Sequence, residues 1–313
     1  MDIVVRPLVA ADLPAAARIN RAAFSTFFGI PDPAKFRVGA DVIGPRWRLW
    51  PEAALALDLD GKLAAVGLMM RLGGVCVLGP VTVAPEHWSK GLARALMPKL
   101  VDIVDREKFA LTGLFTHPQS PKHIRLYESH GFRMQRITAV MAKPVAAETA
   151  PSGVQRYAAV RTADRPLLLD ALRDLAGGIF PGLDVTPEIA DIAHHGLGET
   201  LLLEGSGRID GVALCHAGPG SEASAGQVLV KFAAARGGDG GAARFERLLA
   251  ACEAYAASRG AAQIVAGTNT GRAEAYEIMQ RAGYRTTMNG IAMTRPGTDG
   301  YNRPGIFAID DWR

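Results

Sequence analysis

The 313-residue sequence predicts an α/β (α+β) protein built from two tandem domains, residues 1–145 and 155–313. Three observations carry that expectation. The length exceeds one ordinary core and suits two units of about 150 residues. Apolar runs of strand character alternate with amphipathic stretches through both halves. Four landmarks also recur in the same order. Val160-Arg161-Thr162-Ala163-Asp164 echoes Val5-Arg6-Pro7 with Ala11-Asp12, and Gly207-Arg208-Ile209 echoes Gly61-Lys62-Leu63. Gly240 echoes Gly91 ahead of a helix, and Gly283-Tyr284 echoes Gly131-Phe132 at a helix end. Each pair is separated by roughly one domain length. Residues 143–154, rich in Ala, Pro and Gly, read as the linker.

The first half opens with a strand over 3–6. Asp12 is placed to cap a helix over 12–24. Asp60-Gly61 is a hairpin signal between strands 54–59 and 62–70. An apolar strand over 75–83 precedes a helix over 92–108, in which Pro98 should cause a kink or limit the first turn. A strand over 110–117, a short helix over 122–129 closed by Gly131, and a strand over 133–141 complete the half. The second half repeats this order, with strands near Tyr157, Leu201, Val212, Val228 and Ile264 and helices over 242–258 and 272–281. Residues 301–313 read as a final strand packing on the sheet.

Composition narrows the function. Cys76, Cys215 and Cys252 have no CxxC spacing, and His194-His195 lacks metal-ligand spacing, so neither a disulfide scaffold nor a metal site is expected. A reducing, cytoplasmic location is the default. No signal peptide pattern and no run of about 18 apolar residues is present, so no membrane partner is expected. Residues 1–150 hold 19 Lys and Arg against 13 Asp and Glu, and the remainder 16 against 18. The first half therefore suits an anionic ligand. Its basic residues are scattered rather than blocked, which argues against nucleic acid.

The segment Leu78-Gly79-Pro80-Val81-Thr82-Val83-Ala84-Pro85-Glu86-His87-Trp88-Ser89-Lys90-Gly91-Leu92-Ala93 is the most informative. A strand ends, a loop of small and polar residues follows, and a helix begins. The first N–H groups of a helix lack intrahelical partners and sit at the positive end of its dipole. Gly91 and Ala93 leave that backbone open to a phosphate, and Lys90 adds charge. The pattern is neither GxGxxG nor GxxxxGK[ST].

Val83-Ala84-Pro85 followed by Trp88-Ser89-Lys90-Gly91-Leu92-Ala93 resembles the acyl-CoA signature of the GNAT superfamily of N-acyltransferases. Trp88 stands where that family has Gln or Arg. Leu126-Tyr127-Glu128-Ser129-His130-Gly131-Phe132 resembles the family's helix ending in Y-x-x-x-G-F. The resemblance implies two GNAT-like domains, each a strongly bent mixed sheet flanked by helices. It implies acetyl-CoA, or another acyl-CoA, as co-substrate and a small-molecule amine as acceptor. Val81, Thr82, Val83, Trp88, Ser89, Lys90, Gly91, Leu92 and Ala93 are then the expected cofactor-binding residues, with pantetheine in a gap between splayed strands. Tyr127 is the expected proton donor to the sulfur. His117, at a strand end, is the best-placed base, ahead of Glu52 and Glu86. Trp47, Trp50, Arg46 and Arg48 lie in a region that covers the acceptor pocket in this family.

The second half departs from the pattern. Its loop, residues 232–242, lacks the proline and carries Asp239, and Met279 takes the Tyr127 position with Tyr276 one turn earlier. It reads as a degenerate partner domain. The tandem layout also resembles mycothiol synthase, whose C-terminal domain is the active one. Catalysis in the second half, or acyl-CoA binding without catalysis, therefore stays open, as does monomer against homodimer.

Overall fold

The computed structural model describes residues 2–146, 150–205 and 207–313; the centre of the expected linker, 147–149, lies outside them. The first half begins with β1 (Ile3–Pro7), α1 (Leu13–Phe27) and α2 (Ile43–Leu49). It continues with β2 (Leu55–Leu59), β3 (Lys62–Leu72), β4 (Val75–Val83) and α3 (Leu92–Glu107), then β5 (Leu111–Thr116), α4 (Pro121–Glu128) and β6 (Arg133–Pro144). The second half runs β7 (Val154–Arg156), α5 (Arg165–Ile179), α6 (Thr186–His195), β8 (Gly198–Glu204), β9 (Ile209–Ala217) and β10 (Gln227–Ala235). It ends with α7 (Gly241–Ser258), β11 (Gln263–Asn269), α8 (Ala273–Arg281), β12 (Arg285–Arg295) and β13 (Phe307–Ile309). Among the described residues no helix is long and apolar enough to cross a membrane.

Local chemistry sets most boundaries. Asp60 (φ 49°) and Gly61 (φ 76°) both take the left-handed turn conformation that joins β2 to β3. Gly131 (φ 86°) follows α4 and donates its N–H to Glu128. Asp12 behaves differently from expectation. Its carboxylate accepts from Arg6 Nη1 at 2.6 Å and from the Val9 amide at 3.0 Å, and makes no cap bond to α1. The Arg6 guanidinium on the adjacent strand outcompetes the helix amides, and it holds the Asp12 carboxyl below the usual range. Pro98 lies inside α3 without ending it.

Each half is layered. In β3, Ala65 and Met69 face α3, whereas Val66 and Leu68 face α1 and α2. Gly67 lets α3 approach closely, since a Cβ there would lie 2.6 Å from Leu100 Cδ1. In the second half α7 and α8 cover one face, while α5 and α6 cover the other. Fully burying one such Leu or Val contributes about 1.5–3 kcal/mol.

The halves share one sheet, in the order β1-β2-β3-β4-β5-β12-β6-β11-β10-β9-β8-β7. The last strands are exchanged. β12 pairs antiparallel with β5 of the first half, and β6 pairs antiparallel with β11 of the second. β6 and β12 pair with each other between them. Each half therefore supplies the strand that completes the other's sheet. The tail strand β13 adds to β10.

Candidate active site

The centre of the first half is a divergence of two strands. β4 and β5 pair in parallel only at Val75↔Leu111, Cys76↔Thr112 and Val77↔Gly113. Beyond Val77 they part. On its other side β4 stays in register with β3, apart from an irregularity that takes Gly79 and Pro80 out of the ladder. Ala84 donates to Ala64 O at 2.8 Å. Bonded pairs alternate along an antiparallel ladder, so Thr82 turns its backbone to β3, whereas Val81 and Val83 turn theirs into the gap. Thr82, expected beside them, contributes no backbone group to the gap, and its buried hydroxyl has no partner among the described residues.

Trp88 gives a reason for its presence in place of Gln or Arg. Its indole N–H donates to Val83 O at 2.8 Å, and the Lys122 ammonium lies 5.1 Å from the ring centroid. Ser89 (φ 66°) and Gly91 (φ 83°) turn the loop into the start of α3. The first helical bond runs from Ala95 N to Gly91 O, which leaves the N–H groups of Leu92, Ala93 and Arg94 outside the helical ladder. A Cβ on Gly91 would meet nothing within 4 Å, so this backbone faces open space. Lys90 Nζ lies 3.1 Å from His87 Nδ1 at the exposed rim. A run of amides without helical partners beside a cation is suited to a pyrophosphate.

Tyr127 sits near the end of α4, half-buried, with its ring 6.2 Å from that of Phe132. Apolar surroundings push its phenol up to about 12, so it stays protonated through the neutral range. His117 follows β5 and is buried at 6% exposure, with Nδ1 unpartnered among the described residues. Phe27 (4.9 Å between centroids), Phe28 (5.1 Å) and Phe115 (5.4 Å) enclose it. Burial, then the neighbouring His123, lowers its pKa to about 4. Phe27 also packs against His123 at 5.5 Å, and His123 lies four residues before Tyr127 on one face of α4. The expected base thus lies in an aromatic cluster that reaches α4 at His123, one helical turn before the expected acid. Residues 24–50 are rich in aromatic residues, but the packing of Phe24, Phe27 and Phe28 around a histidine from a distant strand was not visible there. The spacing Phe24, Phe27, Phe28 was the available signal, since it places three rings on one helix face.

Of the residues expected over the acceptor, three serve structure. Trp47 Nε1 donates to Leu8 O, Arg48 pairs with Asp191 on α6 at 3.1 Å, and Trp50 stacks edge-on to Phe109. Arg46 is different. It donates to Gly79 O at 3.1 Å, beside the opening of the gap, and grips Glu222 of the second half through Nε (3.0 Å) and Nη2 (2.7 Å). Glu222 also accepts from Lys231 at 2.5 Å, and Lys231 pairs in turn with Glu188. Burial alone would raise the Glu222 carboxyl, yet Arg46 and Lys231 hold it well below the usual range. The loop before α2 is tied to the second half as well, through Asp41 N to Ser221 O (2.8 Å) and Ala225 N to Val38 O (2.7 Å). No single-residue signal in the sequence links Arg46 to Glu222, because the pair spans both halves.

In the second half Met279 is buried in the core. The Tyr276 hydroxyl accepts from Gln280 near the surface.

Residues 17–132 match the Acetyltransferase (GNAT) family. Over 128 residues the chain is 28% identical to the [ribosomal protein bS18]-alanine N-acetyltransferase of Escherichia coli K12, covering 41% of this chain and 79% of that protein. A solved structure from Pyrococcus horikoshii aligns over 99% of this chain and 95% of its own, with TM-score 0.70 and 14% identity. A tandem GNAT protein from the clavulanic acid biosynthesis pathway aligns over 94% and 98%, with TM-score 0.59 and 11% identity.

Proposed function

We propose that the chain transfers an acetyl (acyl) group from acyl-CoA to a primary amine of a small-molecule acceptor, with the site in the first half; the match of residues 17–132 to the Acetyltransferase (GNAT) family and the likeness of the fold to a tandem GNAT protein support this reading. The observation that carries this reading is the divergence of β4 from β5 next to the open amides of the Gly91 loop. Val81 offers its backbone groups and Val83 its N–H to the pantetheine amides, the Val83 carbonyl being held by Trp88, while the first turn of α3 with Lys90 holds the pyrophosphate. The bound thioester supplies the activated acyl carbon.

The protein's own residues handle protons and charge. Tyr127, neutral across the working range, donates to the departing sulfur. His117 is uncharged at neutral pH and can accept a proton at Nδ1. With a conjugate acid near 4 it is a weak base, so it serves best by orienting an amine that has already lost its proton to water. Arg46, bound to Gly79 O, fixes the backbone at the mouth of the gap.

A polypeptide acceptor is the second reading, favoured by the identity to the ribosomal-protein acetyltransferase. The junction of 38–41 with 221–225 favours a small acceptor, because it ties the two halves together on the α2 side of the gap. The test is acetyl-CoA-dependent thiol release with a panel of small primary amines and of Ala-initiated peptides. Turnover with peptides alone would overturn the small-molecule assignment. Acetyl-CoA binding without turnover on either class would favour a non-catalytic role. Activity surviving Gly91→Glu would move the site to the second half.

A further inference from the structure

The second half contains the same divergence as the first. β10 and β11 pair in parallel up to Val230↔Ala266 and then part, and β10 has its own irregularity against β9 between Val230 and Phe232. In the first half the corresponding strands part after Val77↔Gly113. In the second, β13 pairs antiparallel with β10 along the gap: Ala233↔Ile309, Ala234↔Ala308 and Ala235↔Phe307.

The opposite wall also holds this strand. Asp310 donates its N–H to Gly267 O of β11 at 3.0 Å. Thr268 Oγ1 donates to Ala308 O at 3.0 Å. Arg272, 1% exposed at the start of α8, donates to Ala308 O at 2.9 Å and to Asp310 O at 2.5 Å. An extended segment with amides on both edges thus satisfies both sides of a splayed pair of strands, as an extended diamide ligand would.

The helix end beside it is filled as well. The Phe307 ring lies against Gly241, where a Cβ would come within 2.6 Å of the ring. Arg244 donates to the carbonyls of Arg236 (3.0 Å), Gly237 (2.8 Å) and Asp239 (2.8 Å). This loop therefore turns carbonyls, not amides, toward its centre and already holds a cation there. The contrast with Gly91, whose surroundings are open, is direct.

Beyond β13 the chain continues toward the first half. Trp312 donates to the Tyr301 hydroxyl, which in turn donates to Asp310. The Trp312 ring covers Gly113, the last β5 residue paired with β4, where a Cβ would lie 2.7 Å from it. The Arg313 carbonyl accepts from Arg46, which also reaches Gly79.

We propose that β13 is a built-in occupant of the second gap that takes the place of a pantetheine arm, so that each chain binds one acyl-CoA, in the first half. The binding part rests on the proposed acyl-CoA reading; the occupancy part does not. The experiment combines calorimetry with hydrogen exchange on the full chain. Acetyl-CoA titration of the wild type should give one site per chain, and Gly91→Glu should remove it. Amides of residues 307–310 should exchange slowly both with and without saturating acetyl-CoA. Two sites, binding that survives Gly91→Glu, or loss of protection at 307–310 on adding acetyl-CoA would overturn the proposal. No binding by the wild type, with protection retained, would refute the acyl-CoA reading and uphold the occupancy. No binding together with fast exchange at 307–310 would refute both.

Discussion

Tyr127→Phe isolates one atom. The Tyr127 ring packs on Phe132, and its hydroxyl makes no hydrogen bond among the described residues, so the fold should tolerate its loss. The catalytic effect follows from acidity. A phenol at about 12 faces a thiolate whose ordinary pKa is about 8.5, so complete transfer is uphill by roughly 3.5 units, or about 5 kcal/mol. Tyr127 therefore acts by sharing its proton as the C–S bond breaks, at the low end of the ~10²–10⁴ range for general acids. We expect kcat to fall about 10²-fold, equivalent to roughly 2.7 kcal/mol, with the acetyl-CoA Kd unchanged. Thiol release measures the first quantity and calorimetry the second. The sign of the pH dependence is equally specific. A proton donor titrating near 12 leaves the wild-type rate without an alkaline limb of its own below about pH 11. Retention of kcat within about threefold refutes the donor role. A limb near pH 8–9 that vanishes in the variant refutes the burial argument.

Other perturbations test the framework. Glu222→Gln strips a carboxylate from two buried cations, Arg46 and Lys231. It should cost about 3–5 kcal/mol, read as a lower urea midpoint in chemical denaturation. Stability should also fall with acid in two stages. His117, lowered to about 4, binds its proton more weakly when folded, so stability declines as pH drops from about 6.5 to 4, by up to about 3 kcal/mol. Glu188 is lowered to about 2, against its burial, by Lys231 and His216. It stabilises above about pH 4.5, and that contribution is lost as pH falls toward 2. Urea midpoints between pH 3 and 8 check this, and His117→Asn should flatten the upper stage. Gly67→Val forces methyl groups into Leu96 and Leu100 of α3; a loss of about 1–3 kcal/mol is expected, and a midpoint equal to wild type would contradict the packing.

Local chemistry was legible along the chain. Helix and strand order, the Asp60-Gly61 turn, the Gly131 cap and the Gly91 loop ahead of α3 depend on neighbours a few residues apart, and periodicity and turn propensity report on those. The same locality explains what failed. Asp12 has the right residue type and position for a cap, but its carboxylate is taken by Arg6 from the neighbouring strand. Trp47 and Arg48 look like recognition residues in an aromatic and basic stretch, yet Leu8 O and Asp191 bind them.

By itself the sequence determined the α/β class, the order of helices and strands, and a glycine-bearing loop ahead of α3. Tertiary structure decided the rest. The exchange of β6 and β12, the enclosure of His117 by rings from α1, the Arg46–Glu222 pair and the seating of β13 against β10 all join residues far apart in the chain. Strand partners are chosen by backbone groups that every residue carries alike, so the side-chain pattern that marks a strand leaves its neighbour unnamed.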